Sequence, residues 1–173
     1  MSEILYLKFP TLKDKDIVLD YRQKCLDFGI PKSVGFPLKD IVSYEDWLKQ
    51  ITDNLKAEDV QTQYLVFRKS DNMLIGLMVI RHSLNAPNLK KYSGNVGYSV
   101  LPQERQKGYA TEMLRMGLNI CGTLGIKKAL LICGNDNIAS KKVIQKNGGV
   151  LKQKVPLDDG VVQLRFEVDI DKR

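Results

Sequence analysis

The sequence predicts an α/β fold in which helices cover both faces of a mixed β-sheet. Two runs rich in strand-forming residues, 63–69 and 73–82, are separated by the turn residues 70–72, which predicts an antiparallel hairpin. Later in the chain, strand-like and helix-like segments alternate, and such strand–helix–strand connections join parallel strands. A sheet that combines hairpins with crossovers is mixed, and its helices come to lie on both faces.

The first sixty residues contain one predicted strand followed by two helices. Residues 3–9 are predicted to form the strand. Thr11, followed three positions later by Asp14, is typical of a helix start, and the helix that follows ends at Gly29. After a loop with prolines and glycine, Ser43 begins a second helix. Its apolar residues recur at helical spacing: Trp47, Leu48, Ile51 and Leu55.

The middle of the chain supplies the hairpin and one further strand. The second run of the hairpin, 73–82, is apolar almost throughout, which indicates a strand covered on both faces. A polar stretch that contains Pro87 and Lys90 leads to a strand at 94–101, which Pro102 ends.

The clearest amphipathic helix of the sequence begins at Ala110 and ends at the glycine signals Gly122 and Gly125. Its apolar positions share one face: Ala110, Met113, Leu114, Gly117, Leu118 and Cys121. The remaining predicted elements, in order, are a short buried strand at 128–133, a helix at 137–146 and strands at 150–155 and 161–170.

Composition and charge exclude several classes of protein. The 173 residues include 27 lysines and arginines against 20 acidic residues, which gives a formal charge of +7 and favours anionic partners such as a phosphorylated cofactor or RNA. No run approaches the roughly 18 apolar residues of a membrane span. The first residues lack the basic and apolar regions of a signal peptide. The sequence therefore predicts one soluble, cytoplasmic domain over residues 1–173.

The cysteines and the histidine point away from a metal site. Cys25, Cys121 and Cys133 are odd in number, widely spaced and set in apolar surroundings, so we predict that they are small buried residues. His82 is the single histidine, which excludes a multi-histidine site. We therefore predict no metal.

The turn before the amphipathic helix is a candidate phosphate site. Backbone N–H groups at a helix start lack intrahelical partners, and the helix dipole is positive there. Gly108 permits the close approach of a ligand, and Arg105 and Lys107 add positive charge. Taken alone, the segment is better explained as an ordinary turn in which Gly108 stands beside solvated charges. The segment is neither a Walker motif nor G-x-G-x-x-G, so nucleotide hydrolysis and dinucleotide binding lose support.

Taken together, the motifs resemble the GNAT superfamily of N-acetyltransferases. Three elements match its cofactor-binding core in order and spacing: Tyr98-Ser99-Val100, Arg105-x-x-Gly108-x-Ala110 and Asn137-x-x-Ser140. The segment 145–150 matches the usual end of that core. The resemblance covers roughly residues 60–170, and residues 1–60 fit the variable N-terminal part. Arg81-His82-x-Leu84-Asn85 is similar to a branch of bacterial acetyltransferases whose substrate is unsettled.

The resemblance implies a largely antiparallel sheet of six to seven strands, whose fourth and fifth strands, 94–101 and 128–133, diverge around acetyl-CoA. The implied cofactor contacts are the backbone of Tyr98, Ser99 and Val100 for the pantetheine arm, Arg105 and the N–H groups of Gln106, Lys107, Gly108, Tyr109, Ala110 and Thr111 for the diphosphate, Asn137 for the pantetheine arm and Ser140 near the sulfur. Ordinary helix capping is the alternative interpretation of Asn137 and Ser140.

Two departures from the family pattern leave the catalytic groups open. Many relatives carry a tyrosine acid where this chain has Ile144, and the hydroxyl of Ser140 is the substitute that we predict. Relatives often carry a carboxylate base on the fourth or fifth strand, whereas residues 128–133 have none. His82 is our candidate base, because its pKa is suited to proton transfer. Asp136 and Glu104 are further candidates for the base. A hydrogen-bonded histidine at a strand end and a water relay are the alternatives.

Three functions follow from the sequence. The first is acetyl transfer from acetyl-CoA to a primary amine of a small molecule or of a peptide N-terminus. The second is a catalytically silent CoA-binding or interaction protein, motivated by Ile144 and the missing carboxylate. The third is a basic RNA-binding module, against which stands the absence of aromatic pairs on a basic strand face. The sequence leaves the acceptor open, as well as the choice between monomer and homodimer.

Overall fold

The computed structural model describes residues 4–30, 43–56, 60–157 and 159–172. Within these ranges the strands are β1 (Leu5–Lys8), β2 (Gln61–Arg68), β3 (Leu74–Arg81), β4 (Val96–Val100), β5 (Lys128–Gly134), β6 (Val150–Pro156) and β7 (Val162–Asp169). The α-helices are α1 (Lys15–Asp27), α2 (Tyr44–Asp53), α3 (Pro87–Tyr92), α4 (Tyr109–Thr123) and α5 (Ile138–Lys146). The predicted loop with Pro31, Gly35 and Pro37 lies outside the described residues.

Every strand and helix predicted from the described part of the sequence is present, with ends shifted by one to a few residues. The short helix α3 was not predicted. It occupies the polar stretch after β3, and Pro87 stands at its first position, where a proline costs no hydrogen bond. No helix among the described residues is long and apolar enough to cross a lipid bilayer.

The strands form two sheets. One has the order β1-β2-β3-β4 and the other has the order β5-β7-β6, and all their ladders are antiparallel. The α/β class and the divergence of the fourth and fifth strands are confirmed. The central sheet that the sequence predicts as one is split into two where β4 and β5 diverge.

The two sheets meet where the chain enters β4. Gly94 and Leu131 form an isolated bridge, and the backbone N–H of Asn95 donates to Leu130 O over 2.7 Å. The Asn95 side chain accepts from the N–H of Leu130 over 2.8 Å and donates to Arg81 O over 3.2 Å. Gly94 has a φ of +67° and a Cβ there would lie 2.5 Å from Leu130 O, so this junction requires glycine.

Separate apolar clusters cover the two faces of the first sheet. On one face, side chains of β3 and β4 pack against α4 and the second sheet; examples are Ile75, Met78, Met113, Leu118 and Phe166. On the opposite face, β2 and β3 pack against α1 and α2; examples are Leu65, Leu77, Val18, Tyr21 and Trp47. The predicted placement of helices on both faces is therefore confirmed. Since β4 is the last strand of its sheet, its far edge borders the gap toward β5.

Candidate active site between β4 and β5

The free edge of β4 offers backbone groups to a ligand. Arg81 N–H donates to Asn95 O, and Leu101 N–H donates to Ile75 O, so the odd-numbered residues of β4 face β3. Because backbone groups alternate in direction along a strand, those of Tyr98 and Val100 face the gap toward β5, whereas those of Ser99 face β3. The gap can therefore accept an extended ligand that pairs with Tyr98 and Val100 as an added strand would.

The turn before α4 presents a row of unpaired amides. Gln106 and Gly108 both have positive φ, at 63° and 85°, and Gly108 is the N-cap of the helix. The first N–H that bonds into α4 is that of Thr111, which donates to Gly108 O over 3.1 Å. In the described chain the N–H groups of residues 106–110 have no protein acceptor. A run of free amides at a helix start is an anion site.

The buried carboxylate of Glu104 also holds this turn in place, a role that the sequence did not predict. Glu104 accepts from Arg68 Nη1 over 2.9 Å and from Lys107 Nζ over 3.0 Å. Arg68, at the end of β2, also donates to the hydroxyl of Tyr109 over 3.0 Å. On the other side of the turn, Arg105 Nε donates to Val100 O over 3.3 Å. The turn is thus fixed both to the β2–β3 hairpin and to the end of β4.

We expect Glu104→Gln to weaken binding of a diphosphate ligand and to destabilise the protein. The change leaves Arg68 and Lys107 without their shared carboxylate, and losing one member of a buried charge pair costs a few kcal/mol. Isothermal titration with CoA and chemical denaturation measure the two effects. The matched control is Glu167→Gln, which removes a partly exposed pair with Lys128 in the second sheet. An equal loss of CoA affinity in both variants would contradict the supporting role.

Three side chains that can donate a proton meet across the gap. Tyr98 of β4 and Ser140 of α5 share a hydrogen bond of 2.9 Å between their hydroxyl oxygens. Burial raises the pKa of Tyr98 to about 12, an effect that this hydrogen bond opposes. Cys133 of β5 is buried, which raises the pKa of its thiol, and a hydrogen bond with Ser140 opposes the shift. All three groups are therefore protonated at neutral pH.

This cluster shows what the sequence could and could not indicate. Ser140 was predicted as a site residue, whereas Cys133 was predicted only as a small buried residue. Ile144, at the position of the family's tyrosine, is almost fully buried in the core and offers no proton.

Among the described residues no group of three or more histidine, cysteine or acidic side chains could hold a metal ion.

Asn137 caps the helix that carries Ser140. Its side-chain oxygen accepts from the N–H of Ser140 over 3.0 Å, which is the capping role given above as the alternative interpretation. The side-chain nitrogen has no acceptor among the described residues, so it is free to donate to a ligand in the gap.

We expect Asn137→Asp to separate the two roles of this side chain. Aspartate keeps the capping oxygen and loses the amide donor, so the melting temperature should hold while CoA affinity falls about tenfold. Asn137→Ala loses both and should cost about 1 kcal/mol of stability in addition. Thermal unfolding and CoA titration of both variants provide the measurement. Unchanged CoA affinity in Asn137→Asp would leave Asn137 as a cap alone.

His82 does not join this cluster. Its Nε2 lies 2.9 Å from the Thr62 hydroxyl on β2, and burial lowers the pKa of the ring, which is therefore neutral at pH 7. Met78 is the register partner of Tyr98, and His82 lies four residues beyond it, about 13 Å along the strand. The structure thus places the two predicted catalytic residues, His82 and Ser140, at different points along β4.

Comparison with known proteins agrees with this geometry. Residues 5–150 match the family model described as an acetyltransferase (GNAT) domain. No curated protein matches the sequence. Among solved structures, RimL, a ribosomal L7/L12 alpha-N-protein acetyltransferase in complex with coenzyme A, has a TM-score of 0.75 at 18% identity, with 99% of this chain and 97% of that chain covered. In that structure, CoA forms a disulfide with a cysteine of RimL.

Two further structures carry the same fold with a related ligand. RimJ of Mycobacterium smegmatis, in complex with CoA-disulfide, has a TM-score of 0.76 at 14% identity over 97% of this chain and 83% of that one. The yncA protein of Salmonella typhimurium, with acetyl-CoA, has a TM-score of 0.67 at 11% identity over 98% and 96%. The family model spans most of the sequence, and the diverging strands and the amide-lined turn fit it. The chain belongs to the GNAT acetyltransferase family.

Proposed function

We propose that the protein transfers the acetyl group of acetyl-CoA to a primary amine of a small molecule or of a peptide N-terminus. The observation that carries this proposal is the alignment of two features along β4. The unpaired amides of residues 106–110 lie just beyond one end of the strand, and the Ser140–Tyr98 pair spans the gap beside it. A ligand with a diphosphate at one end and a thioester at the other fits this arrangement, with its diphosphate at the amides and its thioester beside the Ser140–Tyr98 pair.

Each part of the site has a separate role in binding. The amides of residues 106–110 hold the diphosphate, because they have no acceptor in the described chain. The side chain of Lys107, which pairs with Glu104, adds positive charge beside them. The backbone of Tyr98 and Val100 pairs with the amides of the pantetheine arm. The side-chain nitrogen of Asn137 adds one donor from the opposite wall of the gap.

The same residues supply what acyl transfer requires. A neutral amine attacks the thioester carbonyl, and the N–H of Val100 stabilises the charge that develops on the carbonyl oxygen. Ser140 donates a proton to the departing sulfur and regains one from water, and Tyr98 orients the Ser140 hydroxyl through their hydrogen bond. The proton lost by the amine passes to water in this proposal, because the structure shows His82 hydrogen-bonded to Thr62 instead.

The second candidate is a protein that binds CoA without turning it over. Ile144 in place of a tyrosine acid and the absence of a carboxylate on β5 favour it. Thiol release from acetyl-CoA in the presence of an amine panel decides between the two, since a silent protein binds the ligand and releases no thiol. RNA binding without CoA binding, with affinity falling steeply as salt increases, would instead indicate the RNA-binding module.

The position of the cofactor sulfur can be tested with CoA disulfide. The RimL structure joins CoA to a cysteine of that protein, and in this chain Ser140 lies close enough to Cys133 to influence the pKa of its thiol. We expect the Cys133 thiolate to attack one sulfur of CoA disulfide, so that one CoA leaves as the thiol and the other stays attached. Because burial raises the pKa of Cys133, labelling should accelerate as the pH increases above 7.

Mass spectrometry measures the added CoA, and two serine variants locate it. Cys133→Ser should abolish labelling, whereas Cys25→Ser, which replaces another buried cysteine, on α1, should leave it unchanged. Labelling that persists in Cys133→Ser would contradict the placement of the sulfur beside Ser140.

A further inference from the structure

Three arginines of the described chain have an Nε that is buried without a partner, namely Arg22, Arg81 and Arg165, and of these Arg81 lies over β4. The side chain of Arg81, at the end of β3, crosses β4 over Gly97, where a Cβ would lie 3.5 Å from Nη1 and 3.8 Å from Nη2. Nη1 donates to Gly94 O over 3.1 Å, and Nε is buried without a partner. No carboxylate of the described residues forms an ion pair with it.

A buried guanidinium without a counter-ion is unfavourable unless a ligand supplies the missing anion. Arg68 and Arg115 each pair with carboxylates, as buried or half-buried cations generally do. Arg81 has no such partner among the described residues, and it is so deeply placed that burial lowers the pKa of its guanidinium. Its free edge, Nε with Nη2, is the edge that binds a carboxylate through two parallel hydrogen bonds.

The position of Arg81 relates this free edge to the reacting centre. Arg81 alternates with Val79 and Leu77 on β3, and Leu77 belongs to the apolar cluster under α1 and α2. Arg81 therefore lies on that face, beside Gly97 of β4. Tyr98, the next residue along β4, points to the opposite face and reaches Ser140. The guanidinium is thus near the closed end of the gap, on the side away from α5.

The guanidinium of Arg81 and the hydroxyl pair of Tyr98 and Ser140 lie on opposite faces of β4. A diphosphate held at the turn before α4 fills the open end of the gap, and hydrogen bonds from Gly94 and Asn95 close the other end, so an acceptor approaches from the face of β4 that α1 and α2 cover. Arg81 lies on that face, over Gly97, without an ion pair among the described residues. An amine separated from a carboxylate by a few bonds could contact both groups.

We propose that Arg81 binds the carboxylate of the acceptor, so that the substrate is an amino acid or another small amine that carries a carboxylate. This inference rests on the proposed acetyl transfer and names its substrate class. Gly97 has a part in this arrangement, because a Cβ at this position would lie 2.9 Å from Val79 Cγ1, which would have to move, and would contact the guanidinium.

The test observes Arg81 directly by NMR of its Nε–H group, assigned by the signal that disappears in Arg81→Lys. N-acetylglycine, the smallest acetylated amino acid, is titrated in the presence of CoA, with N-methylacetamide as its uncharged counterpart. We expect the Arg81 signal to shift with N-acetylglycine and to stay unchanged with N-methylacetamide. Arg81→Lys should weaken binding of N-acetylglycine about ten- to a hundredfold. Arg165→Lys, which replaces another arginine whose Nε is buried without a partner, should bind it normally.

Each other outcome has a defined meaning. An unmoved Arg81 signal, or an equal response to the uncharged amide, overturns the inference. A shift caused by inorganic phosphate but not by N-acetylglycine overturns the carboxylate class. The titrations that decide the inference are carried out on wild-type protein, so a folded variant is needed only to assign the Arg81 signal and to compare affinities. The proposed acetyl transfer is tested separately by CoA binding and thiol release, so each proposal can fail without the other.

Discussion

Gly108→Val is expected to abolish acetyl-CoA binding while the protein remains folded. Gly108 has a φ of +85° at the N-cap of α4, and no protein atom lies within 4 Å of the position its Cβ would take. Valine there meets no clash within the chain, but its branched side chain disfavours positive φ and projects beside the unpaired amides. We expect CoA affinity to fall at least a hundredfold, measured by calorimetry, at a cost of about 1–2 kcal/mol in stability.

Gly125→Val is the matched control for this change. Gly125 follows the other end of the same helix, has a φ of +77° and likewise has no neighbour within 4 Å of a Cβ. The two valine variants should lose similar stability in denaturation, because the backbone strain is the same in kind. Only Gly108→Val should lose the ligand. If Gly108→Val bound CoA normally, the diphosphate would have to bind elsewhere, and the proposed function would lose its main support.

The sequence was sufficient for features that depend on neighbouring residues. The turn before α4 could be predicted because its glycine, its basic residues and its helix all lie within about a dozen positions. The start of α5 could be predicted for the same reason, since Asn137 caps the helix by binding the N–H three residues ahead.

Features that depend on how distant strands meet could not be predicted in this way. The Tyr98–Ser140 hydrogen bond joins residues 42 positions apart, and it exists because β4 and β5 diverge just enough for two hydroxyl groups to meet. The pairing of Glu104 with Arg68, 36 positions away, depends on where the β2–β3 hairpin ends. The orientation of His82 toward Thr62 is fixed by the register of β2 and β3. Each of these depends on where segments distant in the sequence meet in the folded chain, which no local pattern of residues specifies.

Electrostatics divides the gap between β4 and β5 into two ends. In the proposed arrangement, the unpaired amides before α4 and the charge of Lys107 hold an anionic ligand at one end. Near the other end, Arg81 is proposed to hold a second anionic group. The groups between them, Tyr98, Ser140 and Cys133, are neutral at pH 7 because burial keeps the phenol and the thiol protonated. A neutral centre between two positive ends suits an attack by a neutral amine, since a nearby ammonium form would be repelled.

Ser140→Ala is expected to lower kcat about a hundredfold while CoA affinity is retained. In the proposed mechanism the Ser140 hydroxyl, held by Tyr98, is the acid that protonates the sulfur. A positioned general acid increases the rate about a hundredfold or more. The effect should stay at the low end because a thiolate leaves readily without help. Tyr98→Phe removes the hydrogen bond that orients Ser140, so we expect a smaller loss, about tenfold, with an unchanged KM for acetyl-CoA.

The double variant tests whether the two residues act as one unit. If Tyr98 acts through Ser140, adding Tyr98→Phe to Ser140→Ala should cost little more than Ser140→Ala alone, because the hydroxyl that Tyr98 orients is already absent. If the losses instead multiply, the phenol of Tyr98 acts independently on the sulfur or on the acceptor. The pH profile supplies a second measurement. Burial raises the pKa of Tyr98 to about 12, so its ionisation should leave the activity of wild-type protein unaffected between pH 6 and about 10. A loss of activity within that range which Tyr98→Phe removed would show that the phenol ionises in the working site and would contradict its role as a neutral hydrogen-bond partner.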